Sequence, residues 1–235
     1  MVRGFMVFIK TGSGFQKCRL PCMVWRYTGF SLLSIVFLVL LLAAECPAGD
    51  VSIAQITKIH GKVMINRSGL SQAIAAEKGS EIQVGDEVVT SEGASAQVAF
   101  SDETFINLAP ISSIRVNQYS FDSLENRRTA RVRVITGTAR FVAFRPRADS
   151  LLYVESGSAA VRASSRVDFT LSLARKDATV AALDGNVRVK NVSALVVGTV
   201  SLGVNQRTVV REKQPPSQPG VITPIERKQY AIIVR

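Results

Sequence analysis

From Val51 to Val189 the chain alternates apolar and polar residues with a period of two, and no stretch of useful length carries the 3.6-residue period of a helix. In Val167-Asp168-Phe169-Thr170-Leu171-Ser172-Leu173 four apolar residues point one way and three polar residues the other, the pattern of a half-buried strand. Ile114-Arg115-Val116-Asn117, Arg131-Val132-Arg133-Val134 and Val187-Arg188-Val189-Lys190 repeat it. Turn signals part these runs at short intervals: Gly61, Asn66 to Gly69, Gly85-Asp86, Glu92-Gly93, Ser101-Asp102, Gly137, Ser156-Gly157 and Asp184-Gly185. Asp-Gly suits tight hairpin turns, because both residues tolerate positive φ. The expected fold is therefore all-β: a compact, many-stranded sandwich or twisted solenoid-like domain that follows an N-terminal apolar helix. Ser71–Lys78 reads as a loop. A Gly-x-Val string recurs at Gly61 and Gly185 but is too short to set a solenoid period.

The two ends differ from this middle. Phe30–Ala44 is an uncharged apolar run with only two serines, preceded by Lys10, Lys17, Arg19 and Arg26, with no acid among them, and followed by Cys46, Pro47, Ala48 and Gly49. Basic, apolar and small-residue segments in that order form a secretory signal, and the run is short for a bilayer span of roughly 20 residues. Cleavage is expected after Ala48, with Ala44 as second choice. An uncleaved anchor in the inner membrane is the alternative, its basic flank held inside. Met23 opens a tidier signal than Met1, and Glu45 argues against lipidation of Cys46. At the other end, residues 214–220 form a proline-rich break, and Gln229–Val234 reads as a last strand or a docking tail. The expected organisation is a tail and signal over 1–48, an all-β domain over 49–212, and a proline-rich C-terminal segment over 213–235.

All three cysteines, Cys18, Cys22 and Cys46, lie in or beside the signal, so the exported part has neither a disulfide nor a thiol. That part carries 24 Lys and Arg against 17 Asp and Glu, a net +7. Outside the cytoplasm such an excess suggests anionic envelope partners and argues against nucleic acid. Catalytic chemistry finds little support. His60 is the one histidine, no Gly-x-Ser-x-Gly string occurs, and zinc would want clustered His and Cys ligands. Neither a catalytic residue nor a metal or other cofactor is expected. A glycosidase pair drawn from Asp86 and Asp102 is a minor alternative, since nothing in the sequence brings the two together. The strongest charge feature is Arg127, Arg128, Arg131, Arg133, Arg140, Arg145 and Arg147, with no acid between Glu125 and Asp149. Arg131 and Arg133 share a strand face, and the planar guanidinium fork suits carboxylates and phosphates. These seven are the candidate patch for an anion or a partner. A solvated strand face is the plainer reading of the same residues.

Several strings recur together in a familiar order. Ile59-His60-Gly61-Lys62-Val63 is followed by Val84-Gly85-Asp86-Glu87-Val88-Val89, then by Phe100-Ser101-Asp102-Glu103-Thr104 and Ile106-Asn107-Leu108-Ala109-Pro110. Ser113-Ile114-Arg115-Val116, Ile135-Thr136-Gly137-Thr138 and Leu183-Asp184-Gly185-Asn186-Val187 complete the series. Across about Val51–Val210 this resembles the FecR-type periplasmic domain. Two departures stand out: Glu103 where that family usually has glycine, and Val161-Arg162-Ala163-Ser164 in place of a Val-Arg-Gly-Thr string. The resemblance implies an exported, non-enzymatic envelope module for sensing or binding. The family's iron-transport regulators control a sigma factor through a cytoplasmic domain, for which the segment before the apolar run is too short, so that role is not expected here. The expected partner is an envelope protein, peptidoglycan or an anionic glycan, met in the periplasm. A structural role, joining a larger envelope complex by strand addition, is the alternative.

Overall fold

The computed structural model describes residues 52–144, 150–163 and 166–231, together with two short paired strands, β1 (Lys10–Thr11) and β2 (Gly14–Phe15). The chain divides into two units, Met1–Gly49 and Asp50–Arg235. The expected signal at residues 30–44 and its cleavage site lie outside the described residues. Among those described, no helix is long and apolar enough to cross a membrane.

Alternation over Asp50–Arg235 resolves into two open nine-stranded sheets. The first runs in spatial order β5 (Ile74–Ala75), β4 (Val63–Asn66), β7 (Glu87–Thr90), β10 (Ser113–Asp122), β11 (Arg127–Thr136), β13 (Leu151–Glu155), β14 (Ala159–Ala163), β17 (Val187–Asn191) and β18 (Thr199–Leu202). The second runs β6 (Glu81–Ile82), β3 (Ala54–His60), β8 (Ser95–Phe100), β9 (Thr104–Leu108), β12 (Thr138–Ala143), β15 (Val167–Ala174), β16 (Asp177–Gly185), β19 (Gln206–Val210) and β20 (Gly220–Val221). Neighbours pair antiparallel except β11 and β13, which lie parallel because β12 crosses to the other sheet between them. Inward residues of both sheets merge into one apolar core. Val132, Val154, Val161 and Val189 enter it from the first sheet, and Ile56, Val98, Ile106, Phe141 and Phe169 from the second. Phe141 and Phe169, directly opposite on β12 and β15, stack with centroids 5.0 Å apart. Such an aromatic pair adds about 0.5–1.5 kcal/mol beyond its burial.

The chain passes between the sheets at corners, and glycine marks several of them. Gly61 joins β3 to β4, Gly137 joins β11 to β12, and Gly185 joins β16 to β17. Asp184-Gly185 is thus not the hairpin turn its sequence suggests but a change of layer, since its flanking strands belong to different sheets. Gly137 and Gly185 both have positive φ, and a Cβ on either would strike neighbouring backbone: the Ile111 carbonyl at Gly137, the Arg166 carbonyl at Gly185. Hairpins within a sheet are less demanding. Positive φ falls there on Glu103 (63°), Asn126 (52°) and Arg175 (57°), in the β8–β9, β10–β11 and β15–β16 turns. Glu103, the position where glycine is usual in the resembling family, keeps the left-handed backbone that glycine would favour.

The C-terminal segment departs from its sequence reading. Gln229–Val234 read as a last strand or a docking tail; a helix spans Pro224–Ala231, which overturns the strand for residues 229–231, and residues 232–235 lie outside the described residues. Thr223-Pro224-Ile225-Glu226 explains the difference. The Glu226 carboxylate accepts from the Thr223 N–H at 2.9 Å, while the Thr223 hydroxyl accepts from the Glu226 N–H at 3.3 Å, a reciprocal cap with proline at the first helical position. The helix lies on the outer side of the second sheet, where Tyr230 packs against Ala181, Leu183 and Ile222.

The corner geometry predicts that Gly137→Ala costs about 3 kcal/mol in urea unfolding, through left-handed strain and collision together. Glu103→Gly, by contrast, should stay within about 1 kcal/mol of the parent, relief of strain offsetting the entropy of a freer unfolded chain. Equal effects at the two sites would refute the distinction between corner and hairpin.

Candidate functional site

The five described members of the arginine group, Arg127, Arg128, Arg131, Arg133 and Arg140, separate in space, because consecutive strand residues face opposite sides and β11 and β12 belong to different sheets. Arg127 sits at the β10–β11 hairpin, exposed, with Glu125 at 3.0 Å. Arg140 is on the outer side of the second sheet, where both Asp168 oxygens accept from it at 2.8 and 2.6 Å. That bond raises the Arg140 pKa against the opposing effect of burial. Arg145 and Arg147 lie outside the described residues. Among the described five, only Arg131 and Arg133 stay together.

Arg128 points inward. It is 2% exposed, and its guanidinium donates to Asp102 at 2.9 Å and to the Thr104 hydroxyl at 2.6 Å. Asp102 also accepts from the Thr104 hydroxyl at 2.7 Å and from the Tyr119 phenol at 3.1 Å. The network links the β8–β9 hairpin of the second sheet to β10 and β11 of the first, and one donor, Arg128 Nε, is buried without an acceptor. Burial pushes the Tyr119 pKa well above the ordinary phenol value, and the negative Asp102 beside it adds to the effect. Asp86 is likewise structural: buried, it accepts from the Gln83 N–H at 3.0 Å and lies 3.5 Å from Arg67. Asp86 and Asp102 are thus each held by a separate set of partners.

Outward-facing cations assemble elsewhere. On the exposed side of the first sheet the registers align one row across six strands: Gln118 on β10, Arg131 on β11, Tyr153 on β13, Arg162 on β14, Arg188 on β17 and Ser201 on β18. The adjacent row carries Arg115, Arg133, Glu155, Ala160, Lys190 and Thr199. The Arg131 guanidinium lies over the Tyr153 ring, 5.0 Å from its centroid. Partial burial raises the Tyr153 pKa, the neighbouring Glu155 charge adds to this, and Arg131 opposes it. Between the rows an open groove of about 420 Å³ is floored by Leu151, Tyr153 and Ala160 and walled by Arg131, Arg162, Arg188 and Lys190. Arg162, Arg188 and Lys190 escaped the sequence grouping because they are far from Arg131 in the chain. Their alternation with valine was the available signal, but only strand order shows that they share a face with it.

The family described as FecR protein matches residues 86–188, from the turn before β7 into β17. No curated protein matches the chain. Two crystal structures of a candidate anti-sigma factor from Parabacteroides distasonis ATCC 8503, at 1.65 and 2.50 Å resolution, are similar at 17% and 18% identity, each with a TM-score of 0.45. Each alignment covers 58% of this chain and 59% of the neighbour, so the chain spans less than two thirds of that protein's length.

Two outcomes are expected of the buried network. Arg128→Met should destabilise the protein by about 3–5 kcal/mol in urea unfolding, because it strands the Asp102 carboxylate inside the sandwich. A loss below about 1 kcal/mol would mean that water reaches that carboxylate. Since the Tyr119 pKa is raised on folding, its contribution is fully present below the unfolded phenol value of about 10 and is lost as the pH rises through the folded value. Thermal melts between pH 9 and 11 should therefore fall less steeply for Tyr119→Phe than for the parent.

Proposed function

We propose, for a chain whose residues 86–188 match the FecR protein family, that it is an exported, non-enzymatic module of the bacterial envelope which recognises a protein or glycan partner in a signalling pathway. The observation that carries this is the outer face of the first sheet. Arg131, Arg133, Arg162, Arg188 and Lys190 are exposed there, and among the described residues none of the five has a carboxylate within ion-pair distance. Other surface cations are neutralised nearby, as in Arg115–Glu87 at 2.9 Å and Arg166–Asp184 at 2.7 Å, where the Arg166 hydrogen bond lowers the Asp184 pKa. A face on which these cations outnumber the carboxylates, Glu155 lying opposite Arg133, is suited to an acidic partner. The apolar run at residues 30–44 with its basic flank supports export to the periplasm, and retention of that run would leave the domain tethered to the inner membrane.

A second reading, assembly by strand addition, is favoured by one observation. Among the described residues edge strand β18 pairs only with β17, and Leu195 and Val197 in the loop before it are 93% and 90% exposed.

Cross-linking of the tagged full chain in its producing cell, with and without muramidase, tests the binding role. Capture of one defined envelope component is expected, reduced at least tenfold in Arg131→Gln/Arg133→Gln. Release only after muramidase would identify peptidoglycan as the partner. Unchanged capture in the double variant would exclude the basic face, and self-association that rises with concentration would favour assembly through β18.

A further inference from the structure

We infer that the outer face of the first sheet binds a linear anionic glycan, laid across the strands along the row Arg131–Tyr153–Arg162–Arg188. This rests on the binding role proposed above and goes further by naming the ligand class.

Like charges placed directly opposite on neighbouring strands repel and destabilise a sheet. Here Arg162 is directly opposite Arg188, and Arg115 directly opposite Arg133. Folding alone gives no reason for the first arrangement, because among the described residues neither Arg162 nor Arg188 has an acidic partner. A bound anion between them converts the repulsion into a two-sided clamp, and the guanidinium fork offers paired N–H donors to a carboxylate.

Spacing favours a chain-like ligand. Neighbouring strands lie about 4.8 Å apart, so Arg131 to Arg188, three strand intervals, spans about 14 Å. One saccharide unit is comparable in length to one interval, so successive anionic units would meet successive strands. The half-buried Leu151 and Tyr153 in the groove floor give apolar ground for the C–H face of a sugar, while Gln118 and Ser201 at the row ends offer neutral hydrogen-bonding groups to hydroxyls.

The geometry disfavours the other acidic partners. Backbone groups of β11, β13, β14 and β17 are engaged with neighbouring strands on both sides, so an extended peptide on this face cannot add itself as a strand. The cations also wall a groove of about 420 Å³ instead of crowning a convex surface, which suits a narrow chain better than a flat lipid layer.

The test is calorimetric titration of the purified full chain with oligogalacturonate as the carboxylated glycan. A neutral maltooligosaccharide of equal length, galacturonate monomer and poly-L-glutamate serve as comparisons. Oligogalacturonate is expected to bind, weakening as salt rises from 50 to 300 mM, with the other three at least tenfold weaker. Arg162→Gln/Arg188→Gln should lose at least tenfold in affinity while its melting temperature stays level or rises, since like-charge repulsion is removed. Arg162→Lys/Arg188→Lys should recover part of the loss. Absent binding of oligogalacturonate, equal binding of poly-L-glutamate or monomer, or a melting temperature that falls with affinity would each overturn the inference. If oligogalacturonate fails while cross-linking still captures an envelope protein through the basic face, the ligand class is wrong and the binding role stands.

Discussion

Two facing sheets drawn from one chain oblige that chain to change layers repeatedly, and every change needs a corner tight enough to keep the layers in contact. At Gly137 and Gly185 the following strand starts so close to a neighbouring loop that there is no room for a single carbon. The rest of the architecture depends on this closeness. Displacing the corner at Gly137 would shift β12 along β9 and β15, and a one-residue slip turns Phe141 out of the core and Arg140 into it. Left-handed backbone is also carried by other residues, Glu103, Asn126 and Arg175 in hairpins and Ile111 and Asn205 where the chain changes layer, so it is the backbone collision and not the positive φ alone that reserves Gly137 and Gly185 for glycine.

A different constraint governs the charge buried between the layers. Arg128 and Asp102 come from opposite sheets, and with Thr104 and Tyr119 they form a hydrogen-bonded cluster between the layers. A buried pair of this kind adds little net stability over well-packed apolar residues, but it fixes alignment. Arg128 can reach Asp102 only when the β8–β9 hairpin sits over the start of β11, so the bond ties the register of one sheet to that of the other. The same strand that sends Arg128 inward sends Arg131 and Arg133 outward. One run of sequence thereby supplies both an internal fastener and part of an exposed face, with the β-bulge in β10 between Val116 and Gln118 easing the match.

Much of the fold was legible in the sequence. Period-two runs such as Val167–Leu173 and Val187–Lys190 fall on β15 and β17, and glycines read as turns fall at chain reversals or corners. Which reversals are hairpins and which change layer was not legible, because Asp184-Gly185 looks alike in both settings until β16 and β17 are assigned to different sheets. The C-terminal helix was written in Thr223-x-x-Glu226 with proline between, yet its apolar residues Ile225, Tyr230 and Ala231 are too few to give a helical stripe. For the candidate site, the side on which Arg131 and Arg133 lie followed from alternation. Their company did not, since Arg162, Arg188 and Lys190 reach that face only through non-local pairing of β13, β14 and β17. Arg128 was misleading for a plain reason: a count of charges does not distinguish the two faces of a strand.

The strand orders also bear on how the molecule comes into being. Beyond the first few strands, both sheets are assembled in the order in which the chain is written, each new strand or strand pair laid against the last. A polypeptide emerging N-terminus first could therefore consolidate its early layers before the later ones exist, like a wall raised course by course. The growing end would always present an open sheet edge awaiting its next neighbour, so a pause in synthesis or transport would leave a half-built template for pairing with another chain. The order of the strands thus makes an uncovered edge a feature of every stage of growth as well as of the finished sheets.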